Sequence, residues 1–145
     1  MKVEANLGFG RNFDFHIFLF TGKIVLVTLI VWASHGNLQV TEFLLQNGAD
    51  VNVRNLHNGT ALISASWNGH SKVVEILLNS GPEIDVENEN GWTALDKAVM
   101  YRHFKIVEIL LKHGAKIRQQ TWELSCFQAS RSDCVKIGDL LSTYQ

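Results

Sequence analysis

Proline is nearly missing from this chain: Pro82 stands alone among 145 residues, and no glycine- or serine-rich stretch accompanies it. A flexible or polyproline linker is therefore not written into the sequence, and no second domain is signalled. Cysteine is as scarce. Cys126 and Cys134 are the two present, they set up no disulfide framework, and they read as reduced thiols of an intracellular protein. Neither has a Lys or His beside it, which argues against a redox pair. Charge of one sign is also lacking, with 13 Lys and Arg against 14 Asp and Glu and a net charge of −1. That balance supplies no general attraction to nucleic acid or to an anionic membrane surface. Nor is there a phosphate-cradling glycine loop, a nucleophile motif or a metal-spaced Cys/His set. The chain is thus expected to be no enzyme and to hold no cofactor and no metal. A hydrophobic content of 46% excludes a disordered chain, and the length suffices for one domain with its own core.

What the sequence does have is repetition. "QVTEFLLQNGA" begins at Gln39, "KVVEILLNSGP" at Lys72 and "KIVEILLKHGA" at Lys105, at one constant interval. A fixed period of this kind takes precedence over any local reading. Within each copy the apolar residues fall at helical spacing: Val40, Phe43, Leu44 and Leu45; Val73, Val74, Ile76, Leu77 and Leu78; Ile106, Val107, Ile109, Leu110 and Leu111. Each set makes a helix with a broad buried face. Gly48, Gly81 and Gly114 follow as stops, since glycine takes the left-handed cap without steric cost. Shorter helices precede, beginning at Thr60 ("TALISASWNGH") and Thr93 ("TALDKAVMYRH"), again one period apart. Both threonines suit an N-cap. Ala61, Ala65, Ser66, Ala94 and Ala98 would let these helices approach their neighbours closely. Asn- and Gly-rich segments, "NVRNLHNG" and "DVENENGW", join the units as turns. A unit so built cannot bury its apolar face alone and must stack on its copies.

These motifs make the chain resemble the ankyrin-repeat family, which has the same period of about 33 residues, with a T-P-L-H-x-A helix start. In that family the second helix ends in G-A-D-V-N. "GADVN" stands at 48–52, while "GTALISA" at 59–65 and "GWTALDKA" at 91–98 match the helix start in Thr, Leu and Ala. Ala61 and Ala94 replace the family proline, and Ile63 and Asp96 its histidine. The resemblance implies an all-α solenoid of about three to four repeats. Its units would be a degenerate first repeat at 22–54, well-matched repeats at 55–87 and 88–120, and a shortened C-terminal capping repeat at 121–145. That last unit aligns with a three-residue deletion placing Leu140 and Leu141 where Leu110 and Leu111 stand.

Residues 9–33 differ from the rest, holding five of the eight phenylalanines between Phe9 and Phe20. A membrane span is one reading, yet Gly22 and Lys23 leave only ten uninterrupted residues from Ile24 to Ala33, where a span needs about 20. A signal peptide with Val31 and Ala33 before the cleavage site is another, opposed by Glu4 and Asp14. A degenerate repeat is the third: Leu29, Ala33 and Gly36 stand one full period before Leu62, Ser66 and Gly69. The register favours the repeat, with a membrane tether at 15–33 as the alternative and residues 1–21 as a leader outside the array.

The family resemblance implies binding of a protein partner by a concave face of short helices and turn tips. Here that face comprises Arg54, Leu56, His57, Trp67, Asn68, Glu87, Glu89, Asn90, Trp92, Met100 and Tyr101. Aromatic residues and Met are typical of interface centres. "EIDVENE" at 83–89 carries four carboxylates, which suit a basic segment of the partner better than calcium, because no EF-hand loop surrounds them. His70 and His103 share one repeat position and read as loop histidines rather than metal ligands. The expectation is a monomeric, cytoplasmic interaction module.

Overall fold

The computed structural model describes residues 22–127 and 131–144, so the expected leader at 1–21 lies outside the described residues. Eight helices follow one another there: α1 (Gly22–Ser34), α2 (Leu38–Gln46), α3 (Ala61–Asn68), α4 (Ser71–Asn79), α5 (Ala94–Met100), α6 (Phe104–Lys112), α7 (Gln119–Phe127) and α8 (Arg131–Thr143). They form two rows. Inner helices α1, α3, α5 and α7 pack each on the next, and outer helices α2, α4, α6 and α8 do the same behind them. This is the all-α stacked architecture that the period predicts, with no strand among the described residues.

Local chemistry sets the helix ends. Thr60 Oγ1 accepts the Ile63 amide at 3.2 Å. Thr93 Oγ1 accepts the Asp96 amide at 3.3 Å, while Asp96 Oδ2 accepts the Thr93 amide at 3.0 Å, a reciprocal capping box. At the outer helices the Ala49 amide reaches back to Leu44 O and the Ala115 amide to Leu110 O, both 3.0 Å. These bonds close the Schellman motif past Gly48 and Gly114. Pro82 occupies the same place after α4 and has no N–H, so there the stop is made without that bond.

The period becomes columns in the core. Leu29, Leu62 and Leu95 form one, Val40, Val73 and Ile106 another, and Leu44, Leu77 and Leu110 a third, all buried. Between inner helices, Ala61, Ala65, Ser66, Ala94 and Ala98 are fully covered, which is the close approach their small size allows. Leu29, Ile30 and Ala33 belong to this core, so the end of the apolar segment 15–33 packs on α3. No helix among the described residues is long and apolar enough to cross a membrane.

Of the two leucines aligned with Leu110 and Leu111, the last pair buries Leu141 fully and Leu140 in part. With the three-residue deletion, Ile137 and Leu141 stand where the buried Val107 and Leu111 stand in the unit before. The physical reason is the helical face: residues four apart share a stripe, and Ile137 with Leu141 is the apolar pair at that spacing.

Asp96, at the family's histidine position, is fully buried and does more than cap its own helix. Its carboxylate also accepts from Thr121 Oγ1 at 2.6 Å and from the Arg118 guanidinium. Arg118 Nη2 donates in addition to Gly91 O at 2.9 Å, and Nη1 to Glu87. The C-terminal pair is thereby fastened to the third unit by a buried, charge-assisted network.

Candidate partner-binding surface

The turns that carry most of the candidate residues are built on asparagine. Asn55 Oδ1 accepts the amides of His57 (3.0 Å) and Gly59 (2.8 Å). In the next unit Asn88 Oδ1 accepts those of Asn90 and Trp92, both at 3.0 Å. One side chain thus fixes each tip. Neighbouring tips are then stitched together. Asn52 Oδ1 accepts the Glu83 amide at 2.8 Å, and Asp85 Oδ1 accepts the Lys116 amide at 2.9 Å. These are the same bond one period apart. The Glu89 amide donates to His57 O at 3.0 Å, and Asn58 Nδ2 to Glu87 O at 2.6 Å.

The row of carboxylates is not free acid. Glu83 pairs with Arg54 at 3.0 Å, Glu87 with Arg118, and Glu89 with His57 at 2.9 Å. The stripe is therefore less open to a basic segment than its sequence suggests: arginines of the chain face Glu83 and Glu87, a histidine faces Glu89, and Asp85 caps a backbone amide. Arg118, missing from the candidates, is the residue that changes the electrostatics. It could not be found by repetition, because no equivalent arginine recurs at its position.

On the inner-helix face the candidates separate. Trp67 and Tyr101 are each 45% exposed, and their rings lie 5.9 Å apart, tilted by 42°. They project from the ends of α3 and α5. The His103 ring, near-parallel to Tyr101 at 6.4 Å, supports the pair from behind. Met100 and Trp92 are half-buried at its edges. Asn68 turns back onto its own helix, donating to Ser64 O at 2.9 Å. Leu56 stands at the tip of its turn, wholly exposed, and Asn90, the counterpart of His57, is exposed at the tip of the next.

Lys97 is a residue of this face that sequence reasoning missed. It lies one helical turn before Tyr101, and its ammonium sits 4.6 Å from the centroid of Trp67 and 5.8 Å from that of Trp92. Burial pushes its pKa below the ordinary lysine value, against the attraction of Asp96. The signal available was helical spacing: position 97 shares a face with Tyr101. Its burial depends on tryptophans from a neighbouring helix and a turn, which no spacing reveals.

His70 and His103 are more than loop histidines. His70 Nε2 donates to Ser34 O and His103 Nε2 to Trp67 O, both at 3.0 Å. The carbonyl acceptor requires the proton on Nε2 in each case. Among the described residues no group of three His, Cys, Asp or Glu side chains could hold a metal ion.

No curated protein matches the chain. A sequence model described as ankyrin repeats, in three copies, matches residues 29–121, which is more than half of its length. With the recurring caps, stops and core columns of α1 to α6 falling in that span, the chain belongs to the ankyrin-repeat family.

Proposed function

We propose that the chain is a non-enzymatic adaptor, monomeric and cytoplasmic, that binds a protein partner through the concave face formed by its inner helices and turn tips. Ankyrin repeats are generally protein–protein interaction modules, and the reading assigns this array the same role. The observation that carries it is the exposed pair Trp67 and Tyr101, 5.9 Å apart, on the face where the turns also project. Two large aromatic side chains held by backbone that is already ordered lose little entropy on binding. The tips of Leu56 and Asn90 extend the same surface, and the paired carboxylates form its rim, where charge affects rate more than affinity.

The test is affinity capture from native extract with the full chain and with a Trp67→Ala, Tyr101→Ala variant. Both side chains are half in solvent, so the variant should keep its helical signal and melting temperature. A set of proteins held by the native chain and lost by the variant supports the reading. Equal capture by a folded variant would move the site to another face. Each aromatic anchor at an interface centre is expected to contribute at least about 2 kcal/mol.

A further inference from the structure

We propose that Lys97 is the recognition centre of the inner-helix face and that it receives a carboxylate side chain of the partner, so that the docked segment is acidic between apolar neighbours. The inference rests on the binding face proposed above and names the chemistry of what that face takes.

Lys97 is only 8% exposed, yet its ammonium makes no hydrogen bond to any described residue. Trp67 and Trp92 lie against it, at 4.6 and 5.8 Å from their centroids. Cation–π contacts of this kind attract the charge but leave the three N–H donors of an ammonium unspent. The aliphatic stem is what the array buries; the ammonium itself still reaches solvent, so its donors remain open to an acceptor that docks on this face. Asp96 is the nearby carboxylate, and its oxygens are already engaged by Thr93, Thr121 and Arg118. Within the chain, then, Asp96 offers it no free acceptor, and a docking partner can.

Stacking does not require a lysine here. The equivalent positions one and two periods earlier are Ser64 and Val31, and the array builds its inner face from them as well. Arg54 and Arg118, by contrast, are matched by Glu83, Glu87 and Asp96 within the chain. Charge complementarity therefore favours a carboxylate over a neutral carbonyl, because a charge-assisted bond is the stronger one. The flanking Trp67, Trp92 and Tyr101 favour apolar side chains on either side. Glu83, Glu87 and Glu89 do not oppose an acidic segment strongly, since each already faces a cation or histidine.

Three pools of short synthetic peptides test the assignment. All carry randomised apolar residues around one central position, fixed as Asp or Glu, as Asn or Gln, or as Lys or Arg. Retention by the immobilised full chain is read out, with tryptophan fluorescence as a second signal. The native chain should hold the acidic pool above the other two. Lys97→Met, which keeps the aliphatic stem, should weaken that retention by at least about tenfold at an unchanged melting temperature. Equal retention of the acidic pool by Lys97→Met, preference for the basic pool, or retention of none by the native chain would each overturn the proposal. If Trp67→Ala with Tyr101→Ala abolishes retention while Lys97→Met does not, the face stands and the role of Lys97 falls. If neither variant loses retention, both fall.

Discussion

The ring of His103 shows how much one side chain carries in this array. It donates to Trp67 O at 3.0 Å, lies beside Tyr101, and crosses directly over Gly69. A Cβ on Gly69 would come within 2.7 Å of His103 Cε1, and the residue sits at φ +82° besides. Gly36 and His70 repeat the arrangement one period earlier, with 2.5 Å to Nδ1. Arg102 holds the third such position at φ 59°, and the shortened last unit carries no histidine to lie over it. The glycine is thus needed where a histidine lies over it. Gly69→Ala should cost roughly 2–3 kcal/mol, part from the left-handed backbone and part from displacing the ring. In a His103→Ala background only about 1 kcal/mol should remain, which a double-mutant cycle by urea denaturation would measure. Equal costs in both backgrounds would remove the steric link. The sequence marks Gly69 and His103 as recurring positions, but the acceptor is a main-chain carbonyl of the preceding unit, and a carbonyl has no residue type to read.

Elements formed where local signals were strong. Threonine caps, glycine stops and leucines at helical spacing each act within a turn or two of helix, and they place α3 to α6 from sequence. The C-terminal pair is different, because what fastens it is long-range. Asp96 gathers Thr93, Thr121 and Arg118, and position 96 looks in sequence like a lost family histidine. Asp96→Ala would remove the buried partner of a guanidinium that keeps only Glu87 and Gly91 O, and remove the capping box as well, at a cost of about 3 kcal/mol. Hydrogen exchange should show α7 losing protection before α3 or α4. Uniform loss across the array would mean that Asp96 supports the core generally and not this junction. Within α8, Gly138 occupies helix interior where an added Cβ would meet nothing within 4 Å. Gly138→Ala is therefore expected to stabilise by about 0.5–1 kcal/mol, through lower unfolded-state entropy and better helix propensity. A shift of the thermal midpoint downward would show that the helix is constrained in some other way.

At the scale of the whole molecule, each helix pair packs chiefly on the pair before it and the pair after it. Stability in such an array is a sum of unit and nearest-neighbour terms, and its core columns test that directly. Leu77 and Leu110 are fully buried on the directly packed helices α4 and α6. Truncation to alanine should cost roughly 2–5 kcal/mol at each, and the double variant should depart from the sum by about 0.5 kcal/mol or more because the two helices share an interface. Leu44 and Leu141 are equally placed in α2 and α8 but have α4 and α6 between them. Their truncations should add to within about 0.5 kcal/mol. The comparison separates two accounts of the core. If both pairs prove additive, the columns are independent stacks with no lateral strain. If the distant pair couples as strongly as the adjacent one, the chain relaxes as a single packed body, and the face bearing Trp67, Lys97 and Tyr101 would respond to changes made at either end.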